Sequence, residues 1–156
     1  MAQIIRALIV IVGLVGMAAP AVLQTDAPPQ PTAILDNGET MDLMVKPAYL
    51  DLQQAMAAPP ADRKAWATIY QKAVRLAEIE NLLFFRNHED ARKPEWTTAV
   101  ARARQAAADV AAAALMGLRT VKAENYDAVR ALYPAVADTC NVCHRTFARE
   151  APAVKP

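Results

Sequence analysis

Cys140, Cys143 and His144 are the residues of this chain whose types and spacing best suit chemistry. They form the run Cys140-Asn141-Val142-Cys143-His144, which holds both cysteines and one of the two histidines. On a helix, positions i, i+3 and i+4 share a face, so two sulfurs and one imidazole point the same way. That arrangement suits covalent attachment of heme: the thiols bond the two vinyl groups and the imidazole ligates iron. Other chemistries fit less well. A disulfide one helical turn across closes a very short loop and gains little stability. A thioredoxin-like pair calls for a βαβ context, and the sequence carries no convincing strand. A zinc centre takes four N or S ligands. The chain offers only Cys140, Cys143, His144 and His88, the last from a distant segment. No triad, paired carboxylates or phosphate loop stands out, so the sequence gives no reason to expect an enzyme.

The elements that must carry these residues are helical. Glycine is scarce and alanine abundant, and prolines fall mostly in the gaps. Four helices are expected, over about Glu39–Ala57, Ala61–Asn87, Pro94–Lys122 and Tyr126–Arg149. Pro59-Pro60 breaks the first from the second, Asn87-His88-Glu89-Asp90 reads as a polar turn, and Pro94 suits the first turn of a helix. Asn125 is expected to cap the fourth helix. In the second, Trp66, Ile69, Tyr70, Ala73, Leu76 and Ala77 follow a 3–4 spacing, and Glu80 breaks the apolar pattern before Leu83 and Phe84 continue it. The third is alanine-rich from Ala99 to Ala114, which lets neighbours approach closely. Pro47 and Pro134 fall inside helices and should kink them or shift a boundary. Short connections make sequential helices antiparallel neighbours. The expected fold is therefore all-α, an antiparallel up-down-up-down four-helix bundle over residues 39–151 with a heme near one end. Residues 22–38 read as a flexible lead, because Asp26-Ala-Pro-Pro-Gln-Pro31 cannot continue a helix.

Residues 1–21 resemble a secretory signal peptide: Arg6, an apolar stretch from Ala7 to Met17, then Ala19-Pro20-Ala21 as a cleavage site. The rival reading is an uncleaved anchor, since Ala7 to Leu23 is at the short limit for a span. Bacterial c-type heme is attached outside the cytoplasmic membrane, so export and the heme motif agree. The expected location is the periplasm, or a periplasm-facing membrane anchor if the leader is kept. The leader's only charge is Arg6, and without it the 17 basic residues fall to parity with the 16 acidic ones. Phosphate binding needs a basic excess, so nucleic acid is not an expected partner.

The topology suggests a second iron ligand. His144 stands five residues before Arg149, at the expected end of the last helix, and Met44 five residues after Glu39, at the expected start of the first. At ~1.5 Å per residue both lie ~8 Å from the same end of the bundle. Met41 is one turn lower and is the nearest competitor. His88 lies in a loop at that end, although a solvated loop histidine is the plainer reading. Methionines at helical spacing also commonly just fill a core, which leaves a vacant or water-bound iron face open as well. Arg86, Arg92, Lys93, Arg145 and Arg149 should cluster at the heme end, as solvated surface or as a rim for an acidic redox partner.

The chain resembles a class II cytochrome c, the cytochrome c-prime family and its low-spin relatives, over about residues 38–150. The resemblance rests on Cys140-Asn-Val-Cys-His144 near the C-terminus, on Phe147, on Asp42-Leu-Met-Val-Lys46, and more weakly on Glu80-Asn-Leu-Leu83 and Trp96. Thr40 and Ala148 depart from the family pattern, which has an arginine and a basic residue at these places. The resemblance implies one covalent heme c, held by Cys140 and Cys143. It implies His144 as proximal ligand and Met44 as distal ligand, with Met41 the alternative. It also implies single-electron transfer with redox partner proteins, and allows a homodimer through helices 1 and 2. The alternative within the family is a five-coordinate heme that binds nitric oxide or carbon monoxide.

Overall fold

Asp36 starts the first helix through a reciprocal cap. Its Oδ1 accepts from the Glu39 amide at 2.8 Å, and its own amide donates to Glu39 Oε2 at 3.0 Å. This Asp-x-x-Glu exchange satisfies two amides that a helix start leaves open. The computed structural model describes residues 32–86 and 93–156. The leader, most of the flexible lead, His88 and Arg92 therefore lie outside the described residues. Five α-helices follow: α1 (Asn37–Thr40), α2 (Lys46–Ala55), α3 (Arg63–Asn81), α4 (Pro94–Thr120) and α5 (Glu124–Phe147). A π-helical turn, Met41–Val45, joins α1 to α2 without a break, so residues 37–55 act as one helix. A 3-10 turn, Leu82–Phe85, ends α3. The described residues are thus all-α, with four long helices and no strand.

The expected helices are present with shifted ends. The first begins earlier, at Asn37, because Asp36 caps it. The second begins at Arg63 because the Asp62 carboxylate accepts from the Ala65 amide at 2.7 Å. Its α-helical part stops at Asn81, where the chain tightens into the 3-10 turn. Pro94 opens α4 as expected. Asn125 does not cap α5: it lies inside the first turn and donates to Thr120 Oγ1 at 2.6 Å. Pro47 falls just after the π turn, within the first turn of α2. Pro134 is accommodated inside α5.

Val121 closes α4 in the left-handed region, at φ 52°, with its amide on the Gly117 carbonyl at 2.7 Å. A β-branched residue is strained there by ~1–2 kcal/mol, whereas glycine is not. Val121→Gly should therefore raise stability, by roughly 1 kcal/mol after the added freedom of the unfolded chain is subtracted. The urea midpoint measures this, and a lower midpoint would mean that the valine's contacts outweigh its strain.

The main core draws Ala48, Tyr49 and Leu52 from α2 and Trp66, Ile69, Ala73 and Leu76 from α3. It draws Ala107, Val110 and Ala114 from α4 and Val129, Tyr133 and Val136 from α5. Alanines on α4 keep this layer thin. Backbones pack closely between α2 and α3, α3 and α4, and α4 and α5. Arg63 donates to the Leu118 carbonyl at 2.7 Å, and Trp96 Nε1 to the Leu83 carbonyl at 3.2 Å. These contacts pair the start of α3 with the end of α4 and the reverse, so the two helices run antiparallel. Asp51 on α2 holds Lys72 and Arg75 on α3 at 2.7 and 2.9 Å. Tyr126 on α5 donates to the Met56 carbonyl beyond α2 at 2.7 Å. A smaller cluster of Leu83, Trp96 and Val100 lies where α3 ends and α4 begins; Met41, Phe84 and Phe147 pack on it. Among the described residues no helix is long and apolar enough to cross a membrane.

Candidate functional site

The last turns of α5 place Cys140, Cys143, His144 and Phe147 along one stripe, at i, i+3, i+4 and i+7. All four are half-buried, while Val142 between the cysteines is 43% exposed. Phe147 anchors the stripe, with its ring edge-on to Trp96 at 5.2 Å. The two thiols are not bonded to one another. His144 Nδ1 is buried with no hydrogen-bond partner among the described residues.

Electrostatics around the sulfurs favour the neutral form. Burial pushes the Cys140 thiol up to about 12, and the charges of Glu80 and Cys143 push the same way. Cys143 is raised as well, by burial first and then by Glu80. Thiolates, the species needed for disulfide exchange or zinc binding, are therefore disfavoured here. A thiol or a neutral thioether suits the same surroundings.

Glu80 is the residue that sequence reasoning did not place in the site. It stands near the end of α3, 1% exposed, with Oε2 lacking a partner among the described residues. Burial pushes its carboxyl up to about 8. The signal was present, since Glu80 continues the buried stripe of Trp66, Ile69, Ala73, Leu76 and Ala77. Nearby, Tyr49 and Tyr133 stack at 6.3 Å, and burial raises both hydroxyls.

Arg86 departs from its expected place on a surface rim. It is buried, its Nη1 donates to the Leu35 carbonyl at 3.3 Å, and its Nε has no partner among the described residues. The chain preceding α1 covers it. Lys93, Arg145 and Arg149 are exposed.

Met41 and Met44 both lie in the π turn and are half-buried. Met41 packs against both core clusters; Met44 belongs to neither among the described residues. The observed helix ends alter the depths expected from sequence. His144 stands three residues before Phe147, Met41 four after Asn37 and Met44 seven after it. At ~1.5 Å per residue these are ~4.5, ~6 and ~10.5 Å, so depth alone favours Met41 over Met44.

The larger groove, about 520 Å³, runs between α4 and α5 past Thr98, Arg102, Asp138 and Val142; the cysteines and His144 do not line it. A smaller cavity of about 270 Å³ borders His144, Asn141, Arg145 and Arg149. Among the described residues no three His, Cys, Asp or Glu side chains group to hold a metal ion. The donor set nevertheless fits a heme. Two neutral sulfurs and an imidazole share one stripe, the imidazole has a buried unpartnered nitrogen, and thioethers are available on the first long helix. Comparison with protein-family models, curated proteins and solved structures finds no match to this chain.

Proposed function

We propose that this chain is a periplasmic c-type cytochrome of the class II kind, carrying single electrons between redox proteins. The observation that carries the reading is the half-buried stripe Cys140–Cys143–His144, whose surroundings favour neutral sulfur. The antiparallel pairing of α3 with α4 supports the finer reading of the fold as an up-down-up-down bundle. Cys140 and Cys143 would hold heme c as thioethers and His144 would be the proximal ligand. Met44 would be the distal ligand: it is half-buried and outside both core clusters, whereas Met41 is engaged in packing. When bound, heme supplies a one-electron couple, and a thioether ligand raises its potential by favouring ferrous iron. The chain's own part would be to hold the two ligand-bearing helices at fixed spacing. No proton donor or nucleophile is required.

A five-coordinate gas-binding protein is the second reading. It is favoured by the packing of Met41, which shows that a methionine of the π turn can serve as core. One experiment separates the two. The chain is expressed with c-type maturation machinery, and the reduced visible spectrum is recorded with and without carbon monoxide. For the carrier, the wild type gives a low-spin spectrum that the gas leaves unchanged, and Met44→Ala gives a five-coordinate form that binds it. Rapid binding by the wild type supports the gas-binding reading. Six-coordination retained in Met44→Ala assigns the ligand to Met41 or His88. A colourless, correctly exported chain with both thiols open to alkylation overturns both readings.

A further inference from the structure

After α5 the chain turns back on itself. The Ala148 amide bonds the His144 carbonyl at 2.9 Å, and the Ala151 amide bonds the Ala148 carbonyl at 2.8 Å. Residues 151–156 then run beside the attachment motif. Asn141, between the two cysteines, engages the backbone of Val154 at both ends of its amide. Its Nδ2 donates to the Val154 carbonyl and its Oδ1 accepts from the Val154 amide, each at 2.8 Å. The Val154 side chain packs on the main core. One residue further, the Lys155 carbonyl accepts from Tyr49 Oη at 2.5 Å and from Gln53 Nε2 at 3.2 Å. Tyr49 and Gln53 belong to α2, and Tyr49 stacks on Tyr133 of α5.

These contacts matter because of what else joins the two helices. Close backbone packing links consecutive helices, whereas α2 and α5 are tied mainly through side chains and this returning segment. The first long helix carries Met41 and Met44; α5 carries Cys140, Cys143 and His144. We infer that residues 151–156 are a clasp that fixes the spacing between the methionine-bearing and histidine-bearing helices, with Asn141 as its positioning residue. The inference rests on the heme reading for its functional consequence, though not for the clasp itself. Asn141 suits the task because a primary amide offers a donor and an acceptor side by side, matching one backbone unit. Ala151 and Ala153 of the clasp also border the small cavity beside His144, so it walls that side of the imidazole. Opening the clasp would let the first helix move away and would admit water near His144. The first change would weaken the hold of a thioether on a bound iron, the second would make the surroundings of His144 more polar, and both would lower the potential.

Hydrogen exchange on the protein as purified tests the clasp, with Asn141→Ala and the milder Tyr49→Phe as variants. Each lost neutral hydrogen bond has a modest net effect, so Asn141→Ala should speed exchange of the Val154 amide on the order of tenfold. Amides of residues 46–52 should accelerate with it, while the interior of α3 and α4 stays unchanged. Tyr49→Phe, which loses the bond to Lys155 and the hydroxyl's interaction with Tyr133 but keeps both Asn141 bonds, should fall between. In heme-loaded protein, Asn141→Ala should lower the midpoint potential and speed carbon monoxide binding. Unchanged exchange at Val154 and residues 46–52 would overturn the clasp. Faster exchange with an unchanged potential and gas-binding rate would overturn its role toward the iron. A wild type that takes no heme would defeat the functional reading alone, and exchange would still decide the clasp.

Discussion

Replacing Gly117 by alanine should destabilise the protein by about 2 kcal/mol, although the substitution improves helix propensity. A Cβ at this position of α4 would lie 2.2 Å from Cε3 and Cζ3 of Trp66 and 2.5 Å from Cη2. Real Cβ atoms do not approach a ring so closely, and the ring cannot swing aside cheaply: Trp66 is 1% exposed and sits in the main core. Two effects compete. Alanine is favoured over glycine inside a helix by ~1 kcal/mol. Overpacking a well-filled interior costs ~1–3 kcal/mol, and a rigid indole against backbone belongs at the upper end. The clash should win. Urea unfolding of Gly117→Ala measures it, and a raised midpoint would show that the ring relocates freely. Trp66→Leu should cost less in the Gly117→Ala background than in the wild type, because relief of the clash offsets part of the cavity it leaves. Arg63, one turn before Trp66, binds the end of α4, so this contact lies far along α3 from Glu80. The visible spectrum of heme-loaded protein should be unaffected.

The helices were legible because their signals are local. Pro59-Pro60 and Pro94 punctuate the chain, and the 3–4 stripe from Trp66 to Ala77 emerges as the buried face of α3. Boundaries were less legible because caps compete with one another. Asp36 and Glu39 form a reciprocal pair that lengthens the first helix, and Asn125 engages Thr120 instead of capping α5. The Cys140–Cys143–His144 stripe could be read from spacing alone, since helical geometry fixes it. The depths of the methionines could not, because they depend on where two separate helices end. The clasp had no sequence signal. Asn141 occupies a position the motif leaves free, and residues 151–156 have no periodicity. Arg86 was misread because only tertiary structure shows that the chain near Leu35 covers it.

Glu80→Gln should stabilise the protein at neutral pH by on the order of 3 kcal/mol and flatten its stability between about pH 5 and 8. Glu80 ionises at about 8 in the folded chain, against an ordinary 4.5, because burial disfavours its charge. Below pH 4.5 both folded and unfolded chains hold the proton, and the residue contributes no slope. Between 4.5 and about 8 the unfolded chain releases the proton while the folded chain keeps it, so stability falls as pH rises. Above about 8 both are ionised and the loss is complete. Glutamine cannot ionise, so the variant lacks this decline. The two proteins should be nearly equal at pH 4 and diverge steadily above it. Denaturant unfolding across this range measures the difference, and parallel curves would show that the buried carboxylate is stabilised by a partner. A group that costs stability at working pH invites a functional explanation. The electrostatic influence of Glu80 on Cys140 and Cys143 supplies one. With its proton retained, Glu80 adds no charge beside the sulfurs; once ionised, its negative charge would favour the ferric over the ferrous state of a heme held there and so lower its potential. Glu80→Gln should therefore leave the potential of loaded protein near neutral pH almost unchanged and remove a decline that the wild type shows toward pH 9. A wild-type potential that is flat over that range would separate Glu80 from the proposed heme site and leave only its effect on stability.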